Sequence, residues 1–520
     1  MSTNVDLNNQ SAPSGEQDKL DKGVLLVAGV VVLGAIMSIL DITVVSVGLQ
    51  TFQNVFDATS AEVAWTMTGY TLALASVIPL TGWAADRFGT KRLYLLALLL
   101  FTAGSALCAT ATSLEMLVAF RVVQGLGGGM LMPLGMTILT RAAGPERIGR
   151  VMAIMGIPML LGPIFGPILG GWLIDVASWH WIFLINVPIG ALALAYSWKV
   201  LPRDHVEPSE TFDFVGMLLL SPGLAAFLYG VSSVPEAGTI WDAKVLTWAI
   251  LGLVLIAAFV PWALRPANVH PLIDLRLFKI KALTVAVIAM ALFAIAFFGA
   301  SLLFPLYFQQ VRMETALSSG LLLAPQGIGA MITMPIAGVL ADRMGPGKVV
   351  LTGIVIDTIG LGMFTQLTDD TSYGYIIGAL FVMGLGMGAT MMPIMTAALA
   401  TLTDHSVARG STLLNTTQQV AASVGTALFS VLLTNGVKDH QAAGAYVFLQ
   451  QQLGQLGGEK LAAARAQVEQ LAATALPELG DVYAHVFTVA TVLVAFCLVP
   501  AFFLPRRKQK PVDPAALVGH

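Results

Sequence analysis

Charged residues are scarce in this sequence of 520 amino acids, which argues against an ordinary soluble protein. Only 11% of the residues are Asp, Glu, Lys or Arg, whereas 56% are hydrophobic and the mean hydropathy is +0.80. Soluble globular domains carry about 25% charged residues. A chain with less than half of that share is expected to have a lipid bilayer as its solvent and membrane lipids as its neighbours. The formal net charge of −3 gives no sign of a nucleic-acid partner, and none is predicted.

Motifs for nucleotide and metal chemistry are absent as well. The run from Gly345 to Lys348 is followed by Val349, not by the Ser or Thr of a phosphate-binding P-loop. No HExxH motif and no cluster of Cys and His occurs, and the two cysteines lie inside apolar stretches where they suit packing better than a disulfide. The sequence therefore predicts no enzyme, no metal and no cofactor.

Long apolar runs make up most of the chain. About 20 apolar residues cross the ~30 Å hydrocarbon core of a bilayer, and this rule predicts an all-α integral membrane protein with fourteen spanning helices. The predicted spans are 24–49, 63–84, 93–111, 115–140, 150–174, 181–200, 213–233, 245–264, 283–307, 318–341, 348–367, 373–400, 410–434 and 485–505. Residues 1–22 are polar and are predicted to be a disordered tail before a retained first helix.

Basic residues are distributed unevenly around these spans. Because the number of spans is even, both termini lie on one side, and that side holds 21 of the 27 Lys and Arg residues. An excess of Lys and Arg marks the cytoplasmic side. We therefore predict a multi-pass protein of the plasma (inner) membrane with both termini in the cytoplasm. The long external loop 435–484, with a helix at 459–476, is interpreted as a cap over the last helix pair or, alternatively, as a docking surface for a partner.

One turn in the sequence occurs twice. Its four anchor residues recur 256 positions later: Gly82, Asp86, Arg87 and Gly89 return as Gly338, Asp342, Arg343 and Gly345. Six spans occupy about 180 residues, so a displacement larger by about 70 residues indicates two additional helices between duplicated halves. The predicted architecture is 6 + 2 + 6. Its parts are the tail 1–22, a six-helix bundle 23–200, a two-helix linker 201–265, a second six-helix bundle 266–505 and the tail 506–520.

An acid and a base inside the membrane are predicted to lie at similar depths. Asp41 lies about 12 Å from the outer end of the first span, and Arg121 lies about 10 Å below the outer face on the fourth, at 1.5 Å per residue. A carboxylate at that depth costs several kcal/mol unless it is paired, hydrated or protonated. The hypothesis is that Asp41 carries a proton and that Arg121 tunes its proton affinity, directly or through Gln124 and water. The alternatives are an acid that only bonds a neighbouring helix and an arginine that is a purely structural hydrogen-bonding hub. Asp357 is a second membrane acid, assigned to proton coupling or to structural bonding.

The repeated turn and a glycine-rich face are candidates for conformational switching. The turn carries Gly82, Asp86, Arg87, Gly89 and Arg92, and its copy carries Gly338, Asp342 and Arg343. Gly89 permits a tight reversal with positive φ, and the aspartate could accept from the N-terminal amides of a neighbouring helix. In the fifth span Gly162, Gly166 and Gly170 share one helix face beside Pro163. Such a face allows close helix approach. A topology-fixing loop and a generic packing face are the alternatives.

Aromatic, thioether and amide side chains are candidates for a substrate pocket. They are Trp65, Tyr70, Phe297, Tyr307, Gln309, Met392, Asn415 and Gln418. Rings and pliable thioethers suit a pocket that accepts several lipophilic shapes, and amides could orient the polar groups of a substrate. Ordinary packing or lipid-facing roles are the alternative for each of them.

Five ordered motifs together resemble the major facilitator superfamily, and specifically its 14-helix drug:proton antiporter branch of the EmrB/QacA type. They are the turn 82–92 and the stretches 40–45, 121–125, 162–171 and 179–188. The resemblance implies pseudo-twofold related halves around a central cavity and export of lipophilic or amphipathic drugs, cationic ones among them, by alternating access. It marks 162–171 as the antiporter motif, where tight sealing between halves would limit proton leak. The proton would be the coupling ion, and a monomer would suffice. An exporter of an endogenous lipid, siderophore or cell-envelope metabolite is the alternative within transport, and a membrane receptor or scaffold with this fold is the alternative outside it.

Overall fold

The computed structural model describes residues 21–144, 147–204, 211–403, 406–453 and 458–506, and every regular element within these ranges is a helix. The first eight long helices are α1 (Lys22–Val47), α2 (Ser60–Phe88), α3 (Thr90–Cys108), α4 (Leu114–Ala143), α5 (Ile148–Val176), α6 (Trp181–Val200), α7 (Phe214–Ser232) and α8 (Ala243–Ala263). They are followed by α9 (Lys281–Gln310), α10 (Ser318–Met344), α11 (Pro346–Gln366), α12 (Tyr373–Leu399), α13 (Val407–Asp439) and α14 (Gly458–Phe496). The tail 1–22 lies outside the described residues except for its last two positions, and the tail 506–520 except for its first.

Local sequence signals set the ends of several helices. Thr59 and Glu62 form a capping box that begins α2, and the side chain of Ser113 accepts from the amide of Met116 at the start of α4. Such side chains satisfy backbone donors that have no partner within the helix. Gly89 joins α2 to α3 with a φ of 96°, in the region that favours glycine, as predicted for this tight turn.

The helices coincide with the predicted spans, except that the last one, α14, begins well before residue 485. Thirteen helices in the described part of the chain are long and apolar enough to cross a membrane. The helix at the remaining predicted span, α5, has 29 residues. An all-helical membrane fold is therefore confirmed.

Packing between helices repeats along the chain. A Cβ atom on Gly127 of α4 would lie 2.4 Å from the backbone nitrogen of Phe101 on α3, and one on Gly386 of α12 would lie 2.2 Å from that of Asp357 on α11. Phe101 and Asp357 are separated by the same 256 positions as the repeated turn. The same close helix approach thus occurs in the first six helices and in the last six, which supports the predicted duplication.

Helices α7 and α8 pack against each other, and α7 packs against the outside of the bundle. The partners of α7 include α2 from the first six helices and α13 from the last six. On α7 the ring of Tyr229 stacks on Trp65 of α2 at 5.5 Å, and Val234, just beyond α7, belongs to an apolar cluster with Ala427 of α13. The helix pair therefore lies across one seam between the two sets of six helices.

The segment 435–484, predicted as an external loop, is helical in its described residues except at His440. Helix α13 extends to Asp439, a short helix covers Gln441–Leu453, and α14 runs for 39 residues without a break. The predicted separation between a helix at 459–476 and the last span is therefore wrong. Ala, Gln and Glu are strong helix formers, so the polar helix continues directly into the apolar one, and Pro477 lies within it.

Candidate functional site

A cavity of about 950 Å³ lies between the first six and the last six helices. Its wall is built from α1, α2 and α4 on one side and from α9, α10, α12 and α13 on the other. Four of the predicted pocket residues line it: Phe297, Gln309, Asn415 and Gln418. Asn415 is held in place because its amide donates to the carbonyl of Ser411 at 2.8 Å.

The other four predicted pocket residues do not line this cavity. Trp65 is 43% exposed and stacks on α7, while the buried Tyr307 donates its hydroxyl to the carbonyl of Thr368 at 2.7 Å. Met392 is buried in the core, although its neighbour Met391 faces the cavity. Tyr70 is fully buried beneath the cavity wall. Their predicted role in direct substrate contact is therefore not supported by their positions.

The first copy of the repeated turn joins the two sets of helices. Asp86 on α2 accepts from Arg141 of α4 at 3.4 Å and pairs with Arg409 of α13 at 3.7 Å. Gly82, one turn earlier, lies against the backbone of α13 at Ala408. We call Asp86, Arg141 and Arg409 the first latch, because they hold α2 and α13 together.

The second copy makes an equivalent contact on the opposite seam. Asp342 on α10 accepts from the amides of Gly149 and Arg150, at 2.8 and 3.3 Å, and pairs with the Arg150 side chain at 3.6 Å. These amides begin α5, so the predicted contact with a helix N-terminus is present here. Gly338 makes room for it, since a Cβ there would lie 2.6 Å from the Gly149 carbonyl oxygen. We call Asp342, Gly149 and Arg150 the second latch.

The basic residues of the two turns are not members of the latches that Asp86 and Asp342 form. Arg92 pairs with Asp204 at 3.9 Å, and Asp204 also accepts from the Lys91 and Arg92 amides that begin α3. Among the described residues, Arg92 thus pairs with the segment that follows α6, and its assignment to switching stays a prediction. Arg87 and Arg343 lie at the ends of α2 and α10, next to the latches.

The glycine face of α5 packs on α1. A Cβ on Gly166 would lie 2.0 Å from the Thr43 hydroxyl oxygen, and Thr43 itself donates to the carbonyl of Gly162 at 3.1 Å. Gly170 lies against Val44 in the same way, and Pro163 lies within this stretch of α5. The face thus seals two helices of the same set. The expectation that it seals the two sets against each other is wrong.

The Gly166→Leu variant is predicted to impair transport and leave expression intact. Leucine cannot fit against Thr43 without displacing α1, the helix that carries Asp41, whereas Gly171 on α5 has open space around it. Gly171→Leu is the matched control. Transport assays on both variants at equal membrane yield test this, and equal activity of the two would show that close packing of α1 on α5 is dispensable.

Asp41 and Arg121 form an ion pair that is fully buried, as their depths predicted. Arg121 donates through Nη1 to Asp41 Oδ2. The other carboxylate oxygen, Oδ1, accepts from Gln124 Nε2 at 2.7 Å and from Asn186 Nδ2 at 3.2 Å. Gln124 also accepts from Arg121 Nη1 through Oε1 at 2.8 Å, which closes the network.

The guanidinium of Arg121 is enclosed on several sides. Its Nε donates to the carbonyl of Thr66 at 3.1 Å, and its Cζ atom lies 4.2 Å from the centre of the Tyr70 ring and 5.9 Å from that of Phe183. A desolvated contact between a cation and an aromatic face contributes about 2 kcal/mol. Its Nη2 makes no hydrogen bond within the described part of the chain.

The ion pair does not face the cavity. The cavity wall contains Ser38, Ile39 and Ile42 of α1, whereas Asp41 is only 1% exposed and lies on the opposite side of that helix. Helices α1 and α4 therefore each line the cavity with one face and carry a member of the buried Asp41–Arg121 pair on another. Asp357 is separate from both, buried between α11 and α12.

Asn186 is the main site residue that sequence reasoning did not single out. It belongs to the motif 179–188, and its amide donates both to Asp41 and to Ser105 Oγ, the latter at 3.1 Å. Ser105 in turn donates to the carbonyl of Phe183 at 2.9 Å. A lone Asn in an apolar span was the available signal, but its partner could be identified only from the packing of α6.

Comparisons with known proteins agree with this architecture. The sequence model of the Major Facilitator Superfamily matches residues 31–426. The multidrug resistance protein B homolog of Mycobacterium tuberculosis is 51% identical over 496 residues, covering 94% of this chain and 92% of the relative. The multidrug export protein EmrB of Escherichia coli is 30% identical over 431 residues, covering 82% of this chain and 84% of the relative.

Solved structures show the same fold at low sequence identity. The human organic anion transporter MFSD10 superimposes with a TM-score of 0.60 at 14% identity, covering 91% of this chain and 99% of that one. The proton:xylose symporter XylE gives 0.57 at 14% identity, covering 95% and 98%. The predicted family is confirmed. This chain belongs to the Major Facilitator Superfamily of multi-pass membrane transporters, with EmrB-type proteins among its relatives.

Proposed function

We propose that this protein exports lipophilic and amphipathic drugs, including cationic ones, in exchange for protons by alternating access. The observation that carries the proposal is a buried Asp41–Arg121 pair behind the wall of a large cavity. The names of the relatives in Mycobacterium tuberculosis and Escherichia coli favour drugs over an endogenous lipid, siderophore or cell-envelope metabolite.

The chemistry of the cavity fits this class of substrate. Phe297 and Met391 offer an aromatic face and a flexible thioether, and the amides of Gln309, Asn415 and Gln418 offer a few polar contacts. Adaptable apolar surface with scattered hydrogen-bonding groups accepts ligands of different shape. No dedicated anionic group lines this wall in the described residues, so a cationic drug would bind through ring faces and amide oxygens.

The position of the two latches indicates which conformation of the transporter the structure represents. Both lie at the end of the bundle that carries the repeated turns, and the cavity wall reaches the opposite end at Ser46, Gln309 and Ser319. With the turns on the cytoplasmic side, as the distribution of Lys and Arg favours, this is an outward-facing conformation. Opening the latches while closing the other end would move the cavity to the cytoplasm.

A proton on Asp41 would drive that exchange. Protonation neutralises the Asp41 carboxylate, the partner of Arg121 in the ion pair. The contacts between α1, α4 and α6 then loosen. A drug bound from the cytoplasm and a proton bound from outside then favour opposite conformations of the transporter. We further propose that the protein works as a monomer in the plasma membrane, has both termini in the cytoplasm, acts as a transporter only and needs no cofactor besides the proton.

Ethidium efflux from inverted membrane vesicles tests the proposal. Uptake into the vesicles should follow an imposed proton gradient and fall to the level of vesicles that lack the protein when a protonophore collapses the gradient. A sodium gradient of the same size is the control and should have no effect. Transport that persists after the proton gradient has collapsed would contradict proton coupling.

A further inference from the structure

We propose that Tyr70 is a positioning residue that transmits the occupancy of the cavity to the buried Asp41–Arg121 pair. This inference rests on the proposed proton-coupled export. It assigns Tyr70 to coupling instead of to direct contact with the substrate.

The ring of Tyr70 covers the guanidinium of Arg121. The Cζ atom of Arg121 lies 4.2 Å from the ring centre, and both side chains are fully buried. The electrostatic attraction between a cation and the face of a ring depends on their separation and alignment. Any displacement of the ring therefore changes how firmly Arg121 is held against Asp41.

The hydroxyl of Tyr70 reaches the cavity wall. It lies 3.2 Å from Ser38 Oγ, and Ser38 lines the cavity. Gly128 of α4 lines the same wall, and a Cβ there would lie 2.5 Å from the Tyr70 hydroxyl oxygen. The absence of a side chain at Gly128 leaves room for this hydroxyl directly behind the cavity surface.

Ser38 differs from the other hydroxyl groups that α1 presents to the cavity. Thr43 donates to backbone carbonyls, including that of Gly162, and Ser46 donates to the carbonyl of Thr43. Ser38 makes its side-chain hydrogen bond to Tyr70. A substrate that contacts Ser38 therefore acts on the Ser38–Tyr70 hydrogen bond. The ring of Tyr70 passes this change on to Arg121 and Asp41.

The other titratable groups around Asp41 are few. Cys108 of α3 faces the network, with Sγ 3.7 Å from Gln124 Oε1, and α6 presents the neutral amide of Asn186. Within the described part of the chain, Tyr70 and Arg121 complete the set. Of these side chains, Tyr70 is the one whose hydrogen bond reaches a residue of the cavity wall.

A thermodynamic consequence follows from this arrangement. In an exchanger, substrate and proton reduce each other's affinity by the same factor. With an intact Ser38–Tyr70 bond, ethidium should bind more tightly at pH 8 than at pH 6, by about tenfold, within the usual range of coupling between two sites. Tyr70→Phe retains the ring over Arg121 and loses the bond to Ser38, so the ratio of the two Kd values should fall below about twofold.

Tyr94→Phe is the matched control. Tyr94 is also fully buried, and its hydroxyl also bonds α1, at the carbonyl of Val30 with a distance of 3.1 Å. This variant should keep the full pH dependence of binding. Ser38→Ala removes the other partner of the proposed bond and should reproduce the effect of Tyr70→Phe, which also covers the case in which Tyr70→Phe fails to fold.

The outcomes separate this inference from the proposed function. If wild-type protein binds ethidium equally at both pH values and releases no protons on binding, proton-coupled export itself is wrong. If the wild type shows the pH dependence and both Tyr70→Phe and Ser38→Ala retain it, the coupling role of Tyr70 is wrong. Loss of the pH dependence in Tyr94→Phe as well would reduce the effect to general loosening of α1 and overturn the inference.

Discussion

Replacing Asp41 with asparagine is expected to reduce proton-driven drug efflux at least tenfold, to about the rate of the wild type in the presence of a protonophore. A tenfold loss corresponds to about 1.4 kcal/mol. The amide of the introduced asparagine has nearly the shape of the carboxyl group but cannot take up and release a proton at physiological pH. Ethidium transport in inverted vesicles at equal protein yield measures the effect.

A matched control separates chemistry from folding. Asp357 is the other buried acid of the described spans that was assigned to coupling, and it lies outside the Asp41 network. Asp357→Asn should transport at close to the wild-type rate if Asp41 alone carries the proton. A strong loss in Asp357→Asn together with normal efflux in Asp41→Asn would reverse the assignment.

Breaking a buried ion pair also carries a risk to stability. Removing one partner of such a pair costs about 3–5 kcal/mol, because the other charge stays buried. The double variant Asp41→Asn with Arg121→Gln removes both charges and should recover the thermal stability of the purified protein. It should not recover proton-driven efflux, and recovery of both properties would mean that the pair is only structural.

Replacing Gly338 with leucine is expected to hold the transporter open at its latched end. A Cβ at this position would lie 2.6 Å from the Gly149 carbonyl oxygen, and that contact involves backbone that cannot rotate away. The second latch therefore cannot close, and the outward-facing state loses its seal. Spin labels on α5 and α10 near the latch should show a longer distance than in the wild type, and export should fall at least tenfold, about 1.4 kcal/mol.

Gly378→Leu is the control for this substitution. Gly378 lies on α12 and has open space where a Cβ would be built, so leucine can be accommodated there. Label distances and export should match those of the wild type. An unchanged distance in Gly338→Leu would show that the latch does not govern closure at this end.

The fold could be predicted because the bilayer imposes strong constraints on sequence. Span length, the bias of basic residues and the repeat at 256 positions are one-dimensional signals. The similar depths of Asp41 and Arg121 could be predicted for the same reason, since a constant rise of 1.5 Å per residue converts position in a span into depth. That their helices meet was implied by the family resemblance.

Rotation of each helix could not be predicted. The membrane helices are apolar on all faces, so no hydrophobic period shows which side of α2, α9 or α12 meets the cavity. Trp65, Tyr307 and Met392 were therefore assigned to a pocket that they do not line. Asn186 was overlooked for the same reason, because its contact with Asp41 depends on how α6 is turned.

Helix α14 is long enough to amplify a small tilt of the bundle into a large displacement of its free end. Its 39 residues are about 58 Å long at 1.5 Å each, whereas the hydrocarbon core is ~30 Å thick. About two-thirds of the way along it, Tyr483 donates to Gln310 at the end of α9, so α14 is fixed to the bundle from which it projects. With the lipid surface at the start of the predicted span, residue 485, the 27 residues before it project by about 40 Å, and a tilt of that bundle by about 10° would displace the tip by about 7 Å. A fluorophore on this tip would report each turnover of the buried core in real time.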